Sequence, residues 1–215
     1  METFENRLRR FLSAEKEAPL TLLVWGQNVL LHQLGTVREK KLEDMIFLST
    51  HAFIQAFSKI AFGKVGRSAT LFFLKEFMDG PKEGQQFSLI GDEIHEMRNV
   101  IAHQVFSIRT HHIAINYTIA DGWKKEPDLL HINPEIFALQ FEAALNGGRL
   151  WKWHKFVTKE DAIKRQYSFV CNWLHLPKSD PISQHIATLE KASTMEEIRR
   201  LEAPIKQEIG QRYKL

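Results

Sequence analysis

A single cysteine, Cys171, in 215 residues excludes an intramolecular disulfide framework. The start of the chain lacks a secretory signature: Met1 is followed by Glu-Thr-Phe-Glu, with no basic patch ahead of an apolar core. Together these two absences set the cytoplasm as the expected compartment. Long apolar runs are missing as well. The richest early stretch, Ala18 to Leu34, contains Gly26, Gln27, Asn28, His32 and Gln33, and falls short of the about 20 apolar residues that span a bilayer. A buried helix is expected there, and no membrane partner. No internal repeat, low-complexity tract or Pro/Gly/Ser linker interrupts the chain, so residues 1–215 read as a single domain. Charge of one sign is also scarce: 29 Lys and Arg against 26 Asp and Glu leave +3, which permits contact with RNA or DNA without the dense basic stripe that would demand it.

What the chain does have is core material. With 44% hydrophobic residues, 26% charged residues and 15 Phe, it can bury enough apolar surface to fold. The periodicity is mostly helical. Residues 3–17 and 20–34 read as helices broken at Pro19, which lacks the amide hydrogen. From Arg38 to Phe62 the apolar positions Leu42, Met45, Ile46, Phe53, Phe57 and Ile60 recur at helical steps, with Gly63 as stop signal. Ser68 to Met78 gives another helix, ended by Asp79-Gly80-Pro81. Over Gln85 to Ile108 the set Ile90, Ile94, Met97, Ile101, Val105 and Ile108 predicts one buried stripe.

The period then changes. Ile113, Ile115, Tyr117 and Ile119 alternate with Ala114, Asn116 and Thr118 as in a half-buried strand; Asp121-Gly122 opens a turn, and Leu129 to Ile132 pairs back as a second strand of a small hairpin. Asn133-Pro134-Glu135 starts a helix that Asn146-Gly147-Gly148 ends. Thr158 with Asp161 starts the next, reaching about Leu174, and Asp180-Pro181 opens another. Thr194 with Glu197 fits a capping box leading a last helix towards Tyr213. The expected fold is mainly α: a helical bundle over about 38–110, a β-hairpin near 112–132, and a helical extension, the last two together filling about 111–215.

The chemistry concentrates on the 85–108 helix. At 3.6 residues per turn, Arg98, His95, Asn99 and His103 fall on one flank of its apolar stripe, and His95, Asn99 and His103 stack at i, i+4, i+8 around small Ala102. That flank suits metal-independent RNA cleavage. The reaction needs a base for the 2′-hydroxyl, an acid for the leaving oxygen and positive charge at the phosphorane. Histidine supplies the first two near neutrality, and a guanidinium fork matches phosphate oxygens. Arginine and histidine five apart lie about 140 degrees apart on an ideal helix, so a two-fold partner that pools both sets in one cleft completes the arrangement.

The segment Glu96-Met97-Arg98-Asn99-Val100-Ile101-Ala102-His103 resembles the Arg-x4-His signature of the HEPN superfamily, with a polar residue straight after the arginine and a place late in a helix. The resemblance, over about 38–110, implies a dimerising helical bundle and often a metal-independent endoribonuclease of toxin–antitoxin, abortive-infection or other RNA-defence systems. It implies catalytic roles for Arg98 and His103, with Asn99 assisting, RNA as substrate, a homodimer, and an antitoxin or other protein as further partner. His95 is an accessory candidate. Val105 stands where toxins paired with nucleotidyltransferase antitoxins often carry a tyrosine, so control through that tyrosine is not implied. A second match, Arg149 to His154, follows Gly147-Gly148 and lacks the helical context.

Other features read as structural. His95-Glu96 and His103 lack the spacing of a zinc helix, and His111-His112 are adjacent, so neither metal nor cofactor is expected. Gly63-Lys64-Val65-Gly66-Arg67-Ser68 reads as an interhelical turn, Cys171 as a core thiol, and Trp151, Trp153 and Lys155 as packing. His131, His154 and His175 have no common spacing. A noncatalytic helical protein of the same architecture, binding a protein or nucleic acid, is the second functional reading.

Overall fold

The computed structural model describes residues 30–103, 113–146 and 155–214, together with Asn6, Leu8 and Lys152. It is mainly α with one small sheet, as the periodicity predicts. The chain divides into two compact units. A central unit comprises Trp25–Lys59 and Gly63–Lys152, and a terminal unit comprises Met1–Val24, Ile60–Phe62 and Trp153–Leu215. The strands therefore group with the central helices, and the C-terminal helices group with the N-terminal segment. Of the helices expected over 3–17 and 20–34, only Asn6, Leu8 and residues from 30 onward lie among the described residues.

In the central unit, α1 covers 30–39 and runs past the expected end at Leu34. The single helix predicted from Arg38 is two. Lys41 takes φ +52° and donates its N–H to Arg38 O at 2.9 Å, which turns the chain. After an extended Leu42, α2 (Glu43–Phe62) begins with Glu43 and Asp44 in its first turn, where carboxylates favour the helix N-terminus. Gly63 ends α2 at φ +65°, with its N–H on Lys59 O and that of Lys64 on Ser58 O; the left-handed turn that satisfies these carbonyls favours glycine.

Helix α3 (Gly66–Phe73) runs on as a π-helical turn over Leu74–Met78 that closes with Asp79 N–H on Leu74 O, just before Gly80-Pro81. A 3-10 turn, Phe87–Ile90, leads into α4 (Gly91–His103). Residues 104–112, including the rest of the helix expected to reach Ile108, lie outside the described residues.

The sheet differs from the expected hairpin. Strand β1 (Ile113–Ile115) is shorter than its alternation, because Asn116 turns the chain: its Oδ1 accepts from the Thr118 N–H and hydroxyl at 2.9 and 2.7 Å. The hairpin partner of β3 (Leu129–Ile132) is β2 (Trp123–Glu126), antiparallel across a Pro127-Asp128 turn, with Trp123 opposite Ile132. β1 lies on the other side of β3 in parallel, Ile113 opposite Leu130. The sequence of β2 carries no apolar alternation, since Lys124, Lys125 and Glu126 are all exposed and only Trp123 is half-buried.

Asn133 then caps α5 (Pro134–Asn146). Its Oδ1 accepts from Glu135 and Ile136 N–H, while its Nδ2 donates to Tyr117 O and Ile119 O, so one side chain starts a helix and pins the preceding loop. Phenylalanines fill the core between helices: Phe137 stands 5.5 Å from Phe47 and 4.9 Å from Phe87, and Phe73 contacts Phe57, Phe77 and Phe141. Arg38, at the end of α1, donates to both Glu135 and Glu142 on α5.

In the terminal unit, α6 (Lys159–Trp173), α7 (Pro181–Leu189) and α8 (Met195–Arg212) start where their caps predict. Thr158 accepts from Asp161 N–H, Asp180 from Ile182 N–H, and Thr194 forms the full capping box with Glu197. Tyr167, Val170, Ile182, Ile186, Leu189, Ile198, Ile205 and Ile209 form its core with Leu8. No helix among the described residues is long and apolar enough to cross a membrane.

Candidate functional site

Helix α4 carries the candidate residues, and its packing decides which of them face out. Gly91, Ile94, Met97 and Val100 are buried, at steps of three, so the stripe drifts around the helix and Val100 takes the inner place expected of Ile101, which is half-buried. The approach to α3 is close: a Cβ on Gly91 would lie 2.4 Å from Leu71 Cδ2. With that face inward, Asn99 and Ala102 are exposed and His95 and Arg98 are half-buried at its edge.

Arg98 donates from Nη1 to Asn99 Oδ1 at 2.8 Å. Among the described residues no carboxylate pairs with this guanidinium, so its charge is held by a neutral amide and left open to an incoming anion. His103 is the last residue of α4, and its side chain lies outside what the structure describes. The structure thus brings Arg98 and Asn99 together and sets His95 one turn before Arg98.

It also adds a residue that sequence reasoning missed. His51, from α2, is 1% exposed and lies against His95, ring centres 5.5 Å apart with planes tilted by 41°. Its Nε2 is 3.2 Å from Thr70 Oγ1, which accepts in turn from Gln55 Nε2; Gln55 also donates to Gly66 O at 2.8 Å. Burial pushes the His51 imidazolium down to about 3, aided by the neighbouring His95 and Arg98, so the ring is neutral across physiological pH. The sequence held one signal for it: His51 sits four residues after Phe47 and three before Ile54, a titratable group on the buried stripe of α2.

Around this cluster, Arg67 pairs bidentately with Asp92 in the first turn of α4 and holds the Asp92 carboxyl below its usual range. The basic turn at 63–68 therefore spends its arginine on an internal ion pair. His131 lies between Asn116 and Glu126, and Cys171 is half-buried 3.5 Å from Ser183, with burial raising its thiol. No group of three His, Cys, Asp or Glu converges as a metal site among the described residues. Residues 111, 112, 149, 151, 153 and 154 lie outside the description. Compared with family models, curated proteins and solved structures, the chain matches none.

Proposed function

We propose that this chain is a HEPN-like, metal-independent endoribonuclease that works as a homodimer, with Arg98 and His103 as its catalytic residues and Asn99 assisting. One observation carries the reading: Arg98 sits at the edge of the buried face with no carboxylate partner among the described residues and is oriented by Asn99. A guanidinium steadied by a neutral amide, with no carboxylate across it, has donors to offer a phosphate in bidentate geometry.

In the proposed reaction the 2′-hydroxyl loses its proton to an imidazole as O2′ bonds to phosphorus. The P–O5′ bond then breaks, the leaving oxygen takes a proton from a second imidazole, and the products carry a 2′,3′-cyclic phosphate and a 5′-hydroxyl. Arg98 bears on the negative charge of the phosphorane, and a two-fold mate contributes a second Arg98 and His103 to one cleft. The activity fits an RNA-defence role in the cytoplasm, with an antitoxin as regulatory partner.

The deciding experiment is incubation of a mixed single-stranded RNA pool with EDTA, comparing the native chain with Arg98→Ala and His103→Ala. Cyclic-phosphate ends from the native protein, lost in both folded variants, support the enzyme. Native protein that leaves every RNA intact moves the reading to a noncatalytic binding module.

A further inference from the structure

Two imidazole nitrogens of the central unit are buried without a hydrogen-bond partner: Nδ1 of His51 and Nδ1 of His95. A buried polar atom left unmet is costly, and native interiors rarely keep one without a use. These two belong to rings whose centres are 5.5 Å apart, and an imidazole nitrogen that carries hydrogen is the natural mate of one that carries a lone pair.

His51 is anchored from behind. Its Nε2 meets the Thr70 hydroxyl, which Gln55 fixes in place. Because that hydroxyl can donate or accept, His51 can keep its proton on Nε2 and leave Nδ1 free to accept. His95 turns its Nδ1 edge inward and precedes Arg98 by three residues, one turn along the same flank. Among the described residues, Arg98 acts on His51, and Asp92, itself paired with Arg67, is the carboxylate that interacts with His95.

We propose that His95 takes the 2′-hydroxyl proton at the Arg98 site, and that buried His51 is its positioning partner: a turn of the two adjacent rings brings the Nδ1–H of His95 onto the unmet Nδ1 of His51, which accepts it. The inference rests on the ribonuclease reading above. The incoming proton lands on His95 Nε2, O2′ bonds to phosphorus, the P–O5′ bond breaks, and the 5′-oxygen is protonated by His103. The Nδ1 hydrogen stays on His95 throughout. A base held by a second, neutral group is the arrangement that keeps an imidazole aimed at its substrate.

The test is nitrogen-15 NMR titration of the histidine side chains in the full chain, alongside the pH profile of RNA cleavage. In His51→Leu the midpoint of His95 should fall by about one pH unit, the scale of one hydrogen bond to a charged group. The acid limb of the cleavage profile should move by the same interval. His51→Asn, whose Oδ1 lies the same two bonds from Cβ as Nδ1 and can accept in its place, should keep both near native. Should the leucine variant not fold, His51→Gln, whose amide takes the Nε2 place beside Thr70 and leaves a methylene near the Nδ1 position, is expected to give the same fall. An unchanged His95 midpoint, or leucine and asparagine variants that move together, overturns the proposal even where RNA is cleaved. A shifted midpoint in a protein that cleaves no RNA upholds the His51–His95 coupling and overturns the ribonuclease reading alone.

Discussion

Arg212, in the last turn of α8, donates from Nη1 to Asp180 Oδ2 at 2.6 Å, and Asp180 is also the N-cap of α7. One carboxylate thus starts a helix and closes the terminal unit on its last turn. Arg212 and then the Ile182 amide hold the Asp180 carboxyl below its usual range. A carboxyl lowered on folding contributes stability above its unfolded value, about pH 4, and loses it as pH falls through the folded value. Arg212→Ala should therefore lower thermal stability at pH 7 by no more than about 1 kcal/mol, the range for exposed pairs, and the difference should vanish on acidification. Unfolding curves of both proteins from pH 7 to pH 2 check this.

His51 has the opposite chemistry and the same sign. Its folded value, about 3, lies below that of an ordinary histidine, so between the two the unfolded chain binds the extra proton. Stability should be full above about pH 6.5 and fall as pH drops towards 3. His51→Gln should flatten that slope, and a denaturation series in that window measures it.

Phe137 is fully buried, against Phe47 and Phe87. Phe137→Ala removes both ring contacts and leaves a cavity, for an expected loss of about 3–5 kcal/mol in urea unfolding. Phe156→Ala, 40% exposed, should cost far less.

Gly122 has no room for a side chain: a Cβ there would lie 2.5 Å from the Phe87 ring and 2.9 Å from Gly84 O. The ring is buried and the oxygen is backbone, so neither yields easily. Gly122→Ala should destabilise by about 1–3 kcal/mol, read by the same unfolding assay.

Among the described residues, Arg98 makes one hydrogen bond, to Asn99. Arg98→Ala should change stability by under about 1 kcal/mol while lowering RNA cleavage by about 100-fold or more. A large loss of stability would mark the residue as structural.

The elements that read true are those whose signals are local. Gly63, Asn133, Thr158, Asp180 and the Thr194–Glu197 box act within four residues, and each starts or stops a helix as its side chain and backbone chemistry dictate. Local signals failed where distant groups compete. The turn at Lys41 has no glycine to announce it, and it sits beside an Arg38 held by Glu135 and Glu142, 97 and 104 residues on. Pro204 lies inside α8, which runs on to Arg212 as the capping box predicts, with Ile198, Ile205 and Ile209 buried on both sides of the proline.

The same division runs through the candidate site. Sequence alone determined that Arg98, Asn99 and His95 share one flank of a helix, since helical geometry follows from period. It could not bring His51 to His95, which stand forty-four positions apart. Only the packing of α2 against the elements around α4 buries that ring, strips its charge and leaves two imidazole nitrogens facing inward without partners, because burial and proximity belong to the assembled fold and not to any stretch of chain.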